Sequence, residues 1–328
     1  MDLLEHRHHG LTSLPRDRRA IAHKLEASWA LLDDPEAGPS EDKILLVLEE
    51  GSTGTIVGVS GIAGRLGADH PVRHWAVDHD RLIGSTACTG CGEIGSLFLH
   101  PRYRGNGNGS LLSRGRFLFI AAHRRRVADR IVARMRGISD DHGDSPFYDA
   151  IGRARLGLSF TEADRLCGLG DDHLLDRMPW REALDLSQLD LAARHAIGRV
   201  HPLTEPALHL LRKEGFRDSG WVDSLDGGPI ISCATDRIET IRRIHQRPLR
   251  IGNVTEIISA RLLVATGQDH HWRCTAVTTS APPTLDAPLH IGRMTSLLLE
   301  AHDGALALCA PMRLPAKLDA PTSVAERG

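Results

Sequence analysis

Aromatic side chains are scarce. Trp, Tyr and Phe make up 4% of the 328 residues, too few for a surface on which bases stack. No charge of one sign dominates: Lys and Arg number 40 against 42 Asp and Glu, a formal net charge of −2. That balance favours neither nucleic acid nor an anionic membrane as a partner. Long apolar runs are missing too. The densest cluster, residues 44–48, is strand-sized and far short of a membrane span. The N-terminus carries Asp2 and Glu5 and has no secretory apolar region. Six cysteines in a chain this long do not form a disulfide framework, so a reduced, cytoplasmic setting is expected. Cys88-Thr-Gly-Cys91 is a lone Cys-x-x-Cys, and Cys167, Cys233, Cys274 and Cys309 are scattered. The second pair that a structural zinc needs is absent, and no metal is expected.

What is there is a stretch of strand, turn and glycine-rich loop: Glu93-Ile-Gly-Ser-Leu-Phe-Leu-His-Pro-Arg-Tyr-Arg-Gly-Asn-Gly-Asn-Gly109. Leu111, Leu112, Phe117, Leu118 and Ala121 follow at helical spacing. Glycines let a backbone approach a ligand closely and adopt positive φ, and a helix N-terminus adds partial positive charge, so the segment suits a phosphate or pyrophosphate. It is not a P-loop, because no Lys follows Gly109, and its glycines at 105, 107 and 109 do not match the dinucleotide spacing Gly-x-Gly-x-x-Gly. What remains is Arg104-Gly105-Asn106-Gly107-Asn108-Gly109, an Arg-x-x-Gly-x-Gly pattern.

The rest of the chain reads as a mixed α/β sheet. Residues 1–43 are polar and helical in pattern, with Ile21, Leu25, Trp29 and Leu32 near helical spacing. Strands are predicted over 43–49, 54–62, 93–99 and 130–137, with a helix over 110–127 between the last two and irregular chain over 64–92. Residues 138–200 read as a helical insertion, 204–214 as a short helix, and the chain from Gly215-Phe216 to Val222 as a strand. Short strands follow from 244 on, notably 257–265 and 272–278. The expected division is 1–243 for the main α/β unit, 244–314 for a small β-rich subdomain and 315–328 for a disordered tail.

The Arg-x-x-Gly-x-Gly loop resembles the pyrophosphate loop of the GCN5-related N-acyltransferase superfamily, whose members bind acyl-coenzyme A. Collinear matches narrow the resemblance to the arginine N-succinyltransferase family. They are Gly10-Leu-Thr-Ser-Leu-Pro15, Ser96-Leu-Phe-Leu-His-Pro101, Leu111-Leu-Ser113, Met135-Arg-Gly137, Ile197-Gly-Arg-Val-His-Pro202, Glu214-Gly-Phe216 and Asp226-Gly-Gly-Pro229.

The resemblance implies a splayed mixed sheet that admits the pantetheine arm. It also implies transfer of succinyl from succinyl-CoA to the α-amino group of L-arginine or ornithine, the first step of an arginine-degrading route. His201 matches the family's acid/base histidine. Leu97, with Phe98 beside it, matches a succinyl-CoA contact, and Arg104 with Gly105, Asn106, Gly107, Asn108 and Gly109 would hold the coenzyme phosphates. Assembly as a homo-oligomer, or with a paralogous subunit, is implied as well.

Three departures stand out. Only Met1 to His9 precede the segment matching Gly10, where family members carry a strand and most of a helix. Residues 68–92 are shorter than their counterpart. Arg134 stands where the family generally has an acid just before Met135-Arg-Gly137. A guanidinium there would repel a cationic acceptor unless paired. The alternatives are a diverged N-acyltransferase with another amine acceptor and a non-catalytic coenzyme-binding subunit.

Overall fold

The computed structural model describes residues 17–140, 142–252, 260–279, 284 and 287–312. The Gly10–Pro15 match, the first residues of the strand expected from 257, and the tail expected from 315 lie outside them. In chain order the elements begin with α1 (Arg18–Asp33), β1 (Lys43–Glu49), β2 (Ile56–Ala63), β3 (His74–Asp78), β4 (Arg81–Ser85), β5 (Gly92–Leu99), α2 (Asn108–Ala122) and β6 (Arg130–Arg134). There follow α3 (Pro146–Ile151), α4 (Arg153–Leu156), α5 (Phe160–Gly168), β7 (Leu184–Asp185), α6 (Leu191–Ala196), α7 (Glu205–Lys213), β8 (Arg217–Val222) and β9 (Pro229–Ala234). The last are α8 (Glu239–Arg242), β10 (His245–Ile251), β11 (Ala260–Thr266), β12 (Arg273–Thr279), β13 (Leu289–Ile291), α9 (Arg293–Leu298) and β14 (Leu306–Pro311).

Nine strands form one sheet in the order β1-β2-β5-β6-β9-β8-β3-β4-β7, and five form a second in the order β12-β11-β14-β10-β13. In the first sheet only β5 and β6 run parallel among the strand pairs described. A parallel pair needs a crossover, and α2 supplies it. One face of this sheet packs α2 and α7 through Phe117, Phe119, Ile131, Ala133, Leu211 and Phe216. A separate cluster joins β3 and β4 to the helical insertion through Trp75, Leu82, Phe147, Tyr148 and Phe160.

Every residue of α2 from Leu112 to Ile120 is buried. The helix lies between two packed surfaces, since Leu118 also meets Leu263, Ala265, Ala310 and Met312 of the second sheet and its C-terminal edge. That position removes the need for a polar stripe. It also buries Arg114 and Arg116, so each cation needs a use.

The structure corrects three element assignments. Residues 64–92 are not irregular: they hold the antiparallel pair β3–β4. Its turn places His79 at φ 52, without the glycine that usually marks such a turn, and its burial does not alternate. Strand β9, which no local pattern predicts, begins at Pro229, the last residue of the Asp226-Gly-Gly-Pro229 turn. Helix α2 starts at Asn108 and ends at Ala122, where His123 leaves helical geometry at φ −118 and ψ 43.

Candidate functional site

β5 and β6 are hydrogen-bonded neighbours only at Gly92↔Ile131 and Glu93↔Val132. Beyond that rung the two strands part. On its other side β5 stays paired with β2, but Ser96 and Leu97 together face Ser60, because the register runs Val59↔Phe98 and then Gly61↔Gly95. Ser96 sits at φ 52 within this bulge, which bends the strand and re-aims its backbone. A cleft of about 1140 Å³ opens where the strands part, lined by residues 93–97 of β5, Ala133 and Arg134 at the end of β6, Met135 and Arg136 after it, and Arg116 of α2.

The glycine loop follows β5 directly. Gly105, Asn106 and Gly107 have φ of 101, 49 and 88, and Gly107 is the N-cap of α2. Successive left-handed residues at a helix start gather backbone N–H groups into an anion-binding concavity, and the first turn has no intrahelical acceptors for them. The loop is braced on both sides. Asn108 Nδ2–H donates to Tyr103 O at 3.0 Å, and Arg261 from β11 donates to Asn106 O at 2.8 Å.

The residues expected to form the site are not all in one place. Leu97 lines the cleft, whereas the loop from Arg104 to Gly109 lies outside its lining. Phe98 is buried and alternates to the other side of β5. His201 is not among the lining residues, yet its neighbours in space are: its N–H donates to Arg136 O at 2.8 Å, and its carbonyl accepts from Thr204 N–H at 2.8 Å. His201 Nδ1 accepts the Leu203 N–H at 3.2 Å and caps the short turn 202–204. A neutral ring in that arrangement carries its proton on Nε2. Acting as a base through Nε2 requires the other tautomer and gives up the cap.

Apart from Arg134, the charged constellation in the cleft was not legible before folding. Glu93, 4% exposed, meets Lys43 at 2.8 Å and Arg134 at 2.6 Å. Burial alone would raise its pKa, but Arg134 and Lys43 hold it well below the usual carboxylate range. Arg136 donates to Asp164 at 2.6 Å, lies 3.5 Å from Asp226, and stacks over Phe160 with its central carbon 4.7 Å from the ring centre. Burial and then the neighbouring Asp223 push Asp226 up to about 7, against Arg136 and the N–H groups of Gly137 and Gly228.

Asp226-Gly-Gly-Pro229 read as a turn is therefore also one wall of the site. A Cβ on Gly228 would lie 2.1 Å from Met135 O, and one on Gly137 would lie 2.3 Å from Asp226 O. Only glycine allows that approach, which seats Asp226 against Arg136. Cys88 and Cys91 are buried thiols, and burial pushes Cys88 up to about 12. Among the described residues no group of three or more His, Cys, Asp or Glu is placed to hold a metal ion.

The parted parallel strands, the bulge beside them and the glycine loop at the following helix define an acyl-CoA N-acyltransferase fold. Comparison with known proteins narrows this further. The family model described as "Arginine N-succinyltransferase beta subunit" matches residues 1–81 and 74–240. Arginine N-succinyltransferases of Escherichia coli O6:H1 (strain CFT073) and of Escherichia coli (strain K12 / DH10B) are each 34% identical over 308 residues, 90% of this chain and 89% of theirs. A solved structure, the arginine/ornithine succinyltransferase subunit AI from Pseudomonas aeruginosa, superposes with a TM-score of 0.85 at 27% identity, covering 95% of this chain and 94% of that one. The chain belongs to the arginine N-succinyltransferase family.

Proposed function

We propose that this protein transfers the succinyl group of succinyl-CoA to the α-amino group of L-arginine or ornithine, the opening step of arginine breakdown. The observation that carries the reading is the parting of β5 from β6 after Glu93 and Val132, directly before the glycine loop. A gap in a sheet at that point leaves backbone groups of β5 facing a cleft rather than a strand, so an extended pantetheine arm can take the missing strand's place. Arg104 and the N–H groups from Gly105 to Gly109 then hold the pyrophosphate.

The acceptor amine attacks the thioester carbonyl near Leu97. A C–N bond forms, the C–S bond breaks, and one proton passes from nitrogen to the departing sulfur. Backbone N–H groups beside Leu97 stabilise the oxyanion, and His201 carries the proton, a role that typically contributes about 10²–10⁴-fold. Asp164, Asp223 and Asp226, with the single cation Arg136 between them, form an acidic wall that suits a cationic side chain. We place the protein in the cytoplasm, consistent with six unpaired cysteines, and infer that it works as an oligomer, since its solved neighbour is named as a subunit. No described helix is long and apolar enough to cross a membrane.

The test is release of free coenzyme A from succinyl-CoA and from acetyl-CoA, with arginine, ornithine and lysine as acceptors. Release from succinyl-CoA with arginine or ornithine is expected. Silence with all three acceptors would overturn the reading. Release with lysine alone would point to a different acceptor.

A further inference from the structure

Several charges in the cleft are matched internally. Glu93 meets Lys43 and Arg134, and Arg136 meets Asp164 and Asp226. Arg116 is different. Its side chain is 2% exposed, it lines the cleft, and it forms no ion pair with any described carboxylate. Its polar contacts go to one residue a turn earlier: Nε–H donates to Ser113 O and Nη2–H to Ser113 Oγ, both at 3.0 Å. A guanidinium has five N–H donors, so three are left for something else. The acid whose charge acts on it, Glu214, is already held by Arg114 at 2.8 Å and by Thr240. A buried cation without a counter-charge is costly and is retained where an anion completes it. Consistent with that, burial pulls the Arg116 pKa down to about 10.

The face on which Arg116 lies says which anion. Along β6 the side chains alternate. Ala133 belongs to the cluster shared with Phe117 and Phe119 of α2, whereas Arg134 reaches Glu93 on the other side. Arg116 lies on the α2 side, on the helix that the coenzyme loop opens. The acidic wall of Asp164, Asp223 and Asp226 belongs with Arg134 and Arg136. The donor thus enters beside a guanidinium and the cationic acceptor beside carboxylates.

We propose that Arg116 receives the distal carboxylate of the succinyl group and is the residue by which the site tells a dicarboxylic acyl donor from a neutral one of equal length. The inference rests on the succinyltransferase reading above. The same chemistry, a carboxylate, is also present in the acceptor amino acid, and Lys24 is another half-buried cation in the cleft wall, so the experiment separates all three possibilities.

The measurement is kcat/KM for succinyl-CoA and for butyryl-CoA, which carries a methyl in place of the carboxylate, in the wild type, Arg116→Gln, Arg116→Lys and Lys24→Met. Arginine is compared with agmatine, which lacks the α-carboxylate. The wild type is expected to prefer succinyl-CoA. Arg116→Gln should lower its kcat/KM by about 10- to 100-fold, the range of a charge-assisted hydrogen bond, while butyryl-CoA turnover holds and Arg116→Lys recovers part of the loss.

Equal losses on both donors would make Arg116 structural and overturn the proposal. So would a loss seen with arginine but not agmatine, or a donor preference that moves with Lys24→Met instead. If Arg116→Gln does not fold, Arg116→Lys carries the comparison, and a wild type that uses butyryl-CoA as well as succinyl-CoA overturns the proposal without any variant. Absence of turnover in the wild type would strike the transferase reading itself. The relative binding of succinyl-CoA and butyryl-CoA would then still decide the role of Arg116.

Discussion

Arg134 donates its Nε–H to Glu93 Oε1 at 2.6 Å, just past the last rung that joins β6 to β5. The guanidinium that departs from the family pattern is thus paired with a carboxylate of the adjacent strand. Lys43 reaches the same carboxylate across β2, because Lys43 pairs with Ala63 and Ala63 with Glu93 in successive ladders. One buried acid holds two cations at the point where the sheet divides, and the cationic acceptor meets no unpaired guanidinium at this position.

Glu93→Gln should therefore cost about 1–3 kcal/mol of stability, since it leaves a half-buried Lys43 and an exposed Arg134 without their shared carboxylate. Glu93 is held below its ordinary value of 4.5, so its stabilising effect is complete above that pH and is lost as pH falls toward its own lower pKa. Urea unfolding at pH 7 should show the loss. A series down to pH 3 should show a shallower acid decline in the variant than in the wild type. An identical acid decline in both would mean that the pair contributes no linkage.

His201 has two tasks that one substitution can separate. Its ring caps the turn at 202–204, and it is the proposed proton carrier. Asn is a strong capping residue but cannot shuttle a proton near neutral pH. His201→Asn should keep the melting temperature near that of the wild type and lower kcat by about 10²–10⁴-fold, with KM for succinyl-CoA little changed. His201→Ala should lose both activity and about 1 kcal/mol of stability. Full activity in the Asn variant would leave the histidine with the cap alone.

These two sites also mark how far the sequence reaches. The glycine loop was legible because its conformation depends on local order: consecutive residues with positive φ leading into a helix. Strands such as β1 and β2 were legible because turn residues bound them. The cleft's charges were not, because Glu93, Arg134, Arg136, Asp164 and Asp226 meet only through tertiary structure. Asp164 is 28 residues from Arg136, the residue it pairs with. Arg116 was hidden for a different reason. It sits in a helix buried on all sides, where an arginine reads as a break in an apolar pattern rather than as a site. The β3–β4 pair lacked both alternation and a glycine turn, so nothing local announced it.

Gly107 at φ 88 caps α2 without a side chain, and a Cβ there would come within 3.1 Å of Met312 Cε. Gly107→Ala should strain the loop by about 1–2 kcal/mol, the cost of a left-handed residue that is not glycine. Because the loop is the proposed phosphate cradle, the effect should appear as a rise in KM for succinyl-CoA of about tenfold, with kcat at saturating donor largely kept. A change in kcat alone, with KM untouched, would place the coenzyme phosphates elsewhere.

Asp226 accepts N–H groups from Gly137 and Gly228 at 2.8 Å each and lies 3.5 Å from Arg136. Its pKa is raised to about 7, so its protonated form favours folding. That contribution is complete below the ordinary 3.8 and is lost as pH rises through about 7. The same titration acts on the cleft. Above pH 7 the wall beside Asp164 and Asp223 gains a negative charge, and the positively charged side chain of arginine should be held more tightly. KM for arginine should fall by up to about tenfold, equivalent to ~1.4 kcal/mol, as pH rises from 6 to 8, while KM for succinyl-CoA stays level. Asp226→Asn should remove this dependence. It should also destabilise the protein by about 1–3 kcal/mol, because the amide Nδ2 faces an N–H donor that the carboxylate accepted. Steady-state kinetics across that pH range in both proteins decide the matter. A wild-type KM for arginine that does not move with pH would mean that the acceptor's guanidinium binds away from Asp226.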